Sequence, residues 1–215
     1  MIKDTFRHKG LRARLTDELR KKGVSDEAVL KAINAVPRHL FLDSSFVQFA
    51  YRDIAFPIGA GQTISQPSTV ARQTALLELK PGGKVLEVGT GSGYQAAVLS
   101  EMGVELFTIE RQTELHRKSA MLLRDLGYIK IKTVLGDGYE GLPLEGPFDA
   151  ILVTAGASEI PAKLLIQLKI GKTMVLPLGG KSQIMTRIRR VSDEEFEKEE
   201  FGECAFVPML TGISR

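Results

Sequence analysis

Leu11, Leu15 and Leu19 recur every four residues among arginines and lysines, the one-sided stripe of an amphipathic helix. The cations between Arg7 and Lys22 are therefore expected on a solvated face rather than in a nucleic-acid patch. Ser25 is expected to cap a second helix, with Ala28, Val29, Ala32, Ile33 and Val36 as its apolar positions and Pro37 closing it. From Lys84 onward the pattern changes to short apolar runs alternating with helical stripes. Val85, Leu86 and Val88 make a buried strand, Tyr94 to Met102 a helix ended by Gly103, and Val104 to Ile109 a second strand. Leu115, Leu122, Leu123 and Leu126 give a crossover helix stopped by Gly127, and Ile129, Ile131, Thr133 and Leu135 a third strand. Asp149 to Thr154, a helix around Ile160 to Leu168, and Thr173 to Leu178 continue the alternation. Gln183 to Val191 with Cys204 to Leu210 is expected to close the sheet as an antiparallel pair, RIRR at 187–190 forming an exposed face.

This order predicts an α/β fold, a doubly wound and mostly parallel sheet with an N-terminal helical segment. Residues 1–215 read as one domain: 1–80 a helical segment with an irregular middle, 81–215 the α/β core with C-terminal strands. Composition narrows the class further. With 43% hydrophobic and 26% charged residues the chain suits an ordinary globular protein, and a net charge of +3 gives no reason to expect nucleic acid. There is no apolar run of the roughly 20 residues that a spanning helix needs, and MIKDTFRHKG lacks the apolar centre of a secretory leader. A cytoplasmic monomer without membrane contact is expected. Cys204 is the single cysteine, so it has no disulfide partner in the chain, and His8, His39 and His116 show no metal-ligand spacing. No metal is expected.

The chemistry concentrates where the first strand meets its helix. Gly89, Gly91 and Gly93 let the chain turn sharply and approach a ligand, and Glu110 ends the next strand, about 20 residues on, where such units hold a ribose diol. Gly91, Gly93 and Ala96 also satisfy a dinucleotide spacing. Glu87, two residues before the first glycine, argues against it, because a carboxylate at the mouth repels a pyrophosphate and favours a cationic ligand. S-adenosylmethionine fits: it has an adenosine and two cationic centres, and no phosphate. GDG at 136–138 ends the third strand, where Asp137 can accept a bond from an adenine amino group or serve a plain turn.

Tyr51 to Val70 resists a regular-structure reading. Pro57 and Pro67 stiffen its ends, Gly59 and Gly61 permit tight paths, and shaped loops of this length usually serve a site. Ser65 in its middle is equally suited to a functional role and to capping a helix that starts near Pro67 or Ser68.

VPRHLF (36–41), YRDIAFPIGAGQTISQP (51–67), LEVGTGSGYQAAVLS (86–100), GDG (136–138), DAILVTAGA (149–157), VLPLGG (175–180) and FVPML (206–210) together resemble the protein-L-isoaspartate O-methyltransferases, over nearly the whole chain. Gly156 departs from the alanine or other small residue usual in that family, and the tail ends soon after FVPML. The resemblance implies methyl transfer from S-adenosylmethionine to the free carboxylate of L-isoaspartyl residues, and D-aspartyl residues too, in damaged proteins, leaving S-adenosylhomocysteine and starting repair through a succinimide. It implies Ser65 as the catalytic residue. Ile64, Ser65, Gln66, Pro67, Glu87, Gly89, Thr90, Gly91, Ser92, Gly93, Glu110, Asp137 and Gly138 would contact the cofactor, and Ile58, Ser65, Val207 and Pro208 the substrate. The rival readings are a nicotinamide dehydrogenase, a non-catalytic cofactor-binding module, and a methyltransferase acting on a small molecule or a protein nitrogen.

Overall fold

The computed structural model describes residues 3–214; Met1 and Ile2, which open the MIKDTFRHKG stretch expected to lack a leader, and Arg215, where the expected domain ends, lie outside the described residues. α1 (Phe6–Lys21) starts at Thr5, whose side chain accepts from the His8 amide in a capping box. Its stripe turns Leu15 and Leu19 inward, but Arg12 is also buried, which corrects the fully solvated cationic face. Asp4 makes this burial possible by pairing with the Arg12 guanidinium at 2.7 Å. α2 (Glu27–Ala35) is capped by Asp26, not Ser25, because the Asp26 carboxylate reaches the amides of Ala28 and Val29. Leu30 rather than Ala28 joins its buried face, and the chain leaves the helix at Val36, before Pro37.

The segment expected to be irregular holds a small hairpin, β1 (Phe56–Gly59) and β2 (Gln62–Ile64), followed by α3 (Pro67–Leu76). The main sheet follows as β3 (Lys84–Val88), α4 (Tyr94–Glu101), β4 (Glu105–Glu110), α5 (Thr113–Asp125), β5 (Lys132–Leu135), β6 (Phe148–Val153), α6 (Ala162–Leu165), β7 (Leu168–Leu178), β8 (Gln183–Arg190) and β9 (Phe196–Cys204). Strands lie in the order β5-β4-β3-β6-β7-β8-β9; β5 to β7 run parallel, and β8 and β9 are antiparallel additions. The chain winds outward from β3 to β5 and then crosses back to β6, so β3 and β6 flank the switch point at whose carboxyl ends such sheets bind ligands.

Alternation along the strands fills two apolar layers. Val85, Leu106, Ala150 and Val175 face a cluster that is continuous with Leu15, Leu19, Ile33 and Leu99. Leu86, Phe107, Ile151 and Met174 face the other layer, closed by Leu164 and Leu168.

Three elements depart from the pattern. β5 starts at Lys132, and Ile129 is exposed, because the Tyr128 and Ile131 amides are spent in the turn that ends α5. The helix after β6 spans four residues, since Leu168 already pairs with Phe148 in the sheet. The partner of β8 is Phe196–Cys204, not Cys204–Leu210. Arg187 and Arg189 of the expected exposed face lie half-buried, and both bond Glu78 at the end of α3.

Candidate active site

A cleft opens at the carboxyl ends of β3, β4 and β6. Its floor is the turn after β3. Gly89 needs a left-handed backbone (φ +100°), and any side chain there would collide with the Thr154 hydroxyl, which donates to the carbonyls of Val88 and Gly89 at 3.0 and 2.7 Å. Thr154 thus straps the end of β6 to the start of the turn. From α3, the buried Gln73 side chain donates to the Val153 carbonyl at 3.1 Å and reinforces the same junction.

Glu110, 5% exposed, forms the side of the cleft. One of its oxygens accepts from the Gly91 amide at 2.8 Å and the other from the Gln112 amide at 2.9 Å. The Gly91 amide is a donor that a dinucleotide-binding turn offers to phosphate. Here a carboxylate holds it, leaving a negative wall whose oxygens keep further lone pairs.

The opposite side comes from two distant segments. The hairpin brings Gln62, Thr63, Ile64 and Ser65 to the cleft, and the stretch after β9 brings Val207, Pro208, Met209 and Leu210. Ser65 is half-buried, and its hydroxyl makes no hydrogen bond to the described residues. It does not cap α3; that position belongs to Gln66, which makes no side-chain cap bond.

A sequence profile described as Protein-L-isoaspartate(D-aspartate) O-methyltransferase (PCMT) matches residues 11–214. The chain belongs to this family. A Protein-L-isoaspartate O-methyltransferase from Flavobacterium psychrophilum is 57% identical over 209 residues, covering 97% of this chain and 98% of the relative. One from Salinibacter ruber is 49% identical, covering 95% and 93%. A solved protein-L-isoaspartate O-methyltransferase superposes with a TM-score of 0.84 at 32% identity, covering 92% of this chain, which spans 65% of that one. A Plasmodium falciparum structure titled as a putative enzyme of this kind, in complex with S-adenosyl-L-homocysteine, gives 0.81 at 25% identity, with coverage of 94% and 98%.

Of the residues to which the family resemblance gave roles, Ile64, Ser65, Gly89, Thr90, Gly91, Ser92, Glu110, Gly138, Val207 and Pro208 lie on the cleft wall. Six do not. Gln66 is exposed and donates to Ser68, while Pro67 is buried as the first residue of α3. Gly93 (φ +86°) is the N-cap before α4, and a Cβ there would press on Leu123 at 3.2 Å, so it serves helix packing. Ile58 sits behind the wall, its Cδ1 within 3.4 Å of a Cβ built on Gly91. Asp137 turns away from the cleft; its carboxylate accepts from the amides of Tyr139 at 2.8 Å and Gly212 at 2.6 Å, pinning the tail.

Glu87 is the main correction. It lies on the strand face opposite to Val88, fully buried beneath the turn, so it is no rim charge. Burial lifts its carboxyl to about 8, against the bond that Thr108 donates at 2.5 Å. Thr108 in turn contacts the Thr90 hydroxyl at 2.6 Å, so the neutral acid props up the turn from below.

Wall residues that the sequence reading missed include Gln73, Tyr94, Gln112, Thr154 and Met209. The one advance signal was that Tyr94, Thr154 and Met209 stand inside stretches matching the family. Spacing also missed the grouping of Asp4, His8 and His39, whose ligand atoms lie within 4.8 Å of one another. The two imidazoles stack at 3.8 Å, which sends their lone pairs along nearly parallel planes, and both Asp4 oxygens bond Arg12. With the Tyr51 hydroxyl 2.6 Å from His39, the group staples α1 to the chain before β1.

Proposed function

We propose that the protein transfers a methyl group from S-adenosylmethionine to the free carboxylate of L-isoaspartyl residues, and of D-aspartyl residues, in damaged proteins. The observation that carries the reading is the meeting, in one cleft, of the Glu110-occupied glycine turn with the family's GQTIS segment and FVPML tail. The residues fit the cofactor. Gly89, Gly91 and Ser92 would border its methionine end, Glu110 its ribose, and Ile109, Gln112, Gly138 and Met209 its adenine. When bound, it supplies an activated methyl on a sulfonium.

The chain's own task is placement. An isoaspartyl carboxylate is already ionised at neutral pH, so no general base is required. Ser65 donates its unengaged hydroxyl to one carboxylate oxygen and leaves the other as the nucleophile, aimed along the line of transfer. Opposite charges cancel as the methyl moves, so a dry cleft favours the step. Ile64, Val88, Ile109 and Met209 supply the apolar lining that excludes water. The resulting ester closes to a succinimide without further help. Val207 and Pro208 hold substrate main chain, which tolerates varied flanking residues. Among the described residues no helix is long and apolar enough to cross a membrane, and we expect a cytoplasmic monomer.

The test is a matched pair of peptides, one aspartyl and one isoaspartyl, incubated with labelled methyl donor. Base-labile label released as methanol from the isoaspartyl peptide alone is expected. Base-stable label would mean transfer to nitrogen and would overturn the reading.

A further inference from the structure

The tail segment that lines the cleft belongs to no strand of the main sheet, yet its main chain is held at successive residues. Gly156 donates its amide to the Val207 carbonyl and accepts from the Met209 amide, both at 2.8 Å. One residue earlier the partner is a side chain. The Gln183 amide accepts from the Phe206 amide at 2.8 Å through Oε1 and donates to the Phe206 carbonyl at 3.1 Å through Nε2, imitating a neighbouring strand. Gln183 is 7% exposed, opens β8 and pairs in register with Cys204, so this grip is rooted in the sheet. Pro208 faces the cleft between the fixed points, its carbonyl without a partner among the described residues.

The same geometry accounts for the family departure at Gly156. Its backbone is not in the left-handed region, so an alanine would be conformationally acceptable. The obstacle is space: all three of the nearest atoms to a Cβ there belong to the Gln183 side chain, with Cδ at 2.5 Å.

We propose that Gln183 is a positioning residue for the peptide subsite: it sets where Phe206–Met209 lies, and Gly156 is glycine to leave its side chain that place. The proposal rests on the function proposed above, in which Val207 and Pro208 hold substrate main chain. Gln183 is off the cleft wall, so its influence passes through Phe206.

Gln183→Met keeps the bulk and removes both bonds. It is expected to raise KM for an isoaspartyl peptide about tenfold, the scale of two lost hydrogen bonds. Its kcat and its affinity for S-adenosylmethionine should stay within about threefold of wild type. Gln183→Glu, which keeps the acceptor for the Phe206 amide, should recover part of the KM. Gly156→Ala should raise KM in the same direction, and adding Gln183→Ala to it should cost no more than Gln183→Ala alone, because the collision is with the removed side chain. Hydrogen exchange at the Phe206 amide, faster in Gln183→Met than in wild type, reads the grip without any turnover. An unchanged KM, additive penalties, or losses falling on kcat and cofactor affinity instead would overturn the proposal. So would unchanged exchange at Phe206, even if Gln183→Met folded poorly. Wild-type protein that methylates neither peptide would overturn the proposed function, leaving the exchange comparison to decide this one.

Discussion

The two walls of the cleft are built by different means. The glycine-turn wall is main chain at the ends of parallel strands, braced by Thr154 and by the buried Gln73, Thr108 and neutral Glu87. The opposite wall consists of two half-exposed segments distant in sequence, a three-residue strand with its exit and a tail held by a few bonds. The lesson is a division of labour. In the proposed function, a ligand of constant shape meets a surface fixed by the sheet, and substrates of varied sequence meet one fixed at single points, where each contact matters more.

The largest effect should come from the sparse wall. Ser65→Ala is expected to lower kcat/KM for an isoaspartyl peptide by about 100-fold or more, the scale for removing a donor aimed at the reacting group. Cofactor affinity should remain within a few-fold by calorimetry, and equal activity in both proteins would remove Ser65 from the mechanism. On the braced wall, Glu110→Ala should weaken S-adenosylmethionine binding by about 1 to 3 kcal/mol, the cost of an unpaired diol. Titration showing no loss would move the ribose contact elsewhere.

A third effect is on stability. A free glutamate ionises near 4.3, whereas Glu87 in the folded protein stays protonated up to about 8 because of burial. The folded state therefore holds the extra proton between those values. The stability contributed by this group is complete at acid pH and is lost as pH rises towards 8, at up to about 1.4 kcal/mol per pH unit. His39, pushed down to about 4 by burial and the neighbouring His8, is neutral in the folded protein throughout that upper range. Urea unfolding at pH 7 and pH 8 should show wild type weakening and Glu87→Gln holding level; parallel slopes would show that Glu87 is already ionised. The smallest effect sharpens the boundary of the site: Gln66→Ala, exposed and off the wall, should change activity by less than about twofold, and a larger loss would put Gln66 back in contact with a reactant.

Most of the parallel sheet was legible because buried strands and amphipathic helices carry strong periodicities: Val85 to Val88, Leu106 to Ile109 and the Leu115–Leu126 stripe all mark elements the structure contains. The turn glycines were legible as a turn, but the directions of individual side chains were not. Glu87 and Val88 are adjacent in sequence and point to opposite faces, and which face meets the ligand depends on pairing with β4 and β6. β9 escaped notice because FEKEEFGEC has hardly any apolar positions; an edge strand needs only main-chain partners. The apolar FVPML run, which looked more like a strand, instead lines the cleft. The capping role of Asp26 and the burial of Arg12 depended on a carboxylate reaching a particular donor, which periodicity does not encode.

That charged edge bears on how the molecule behaves in company. β9 offers one unpaired rim of the sheet to solvent, and Glu197, Glu199, Glu200 and Glu203 stud it at close intervals. Glu199 and Glu200 are paired with Arg187 and Lys198, so a second copy approaching rim to rim meets like charge at Glu197 and Glu203, and strand-to-strand addition along this side is discouraged.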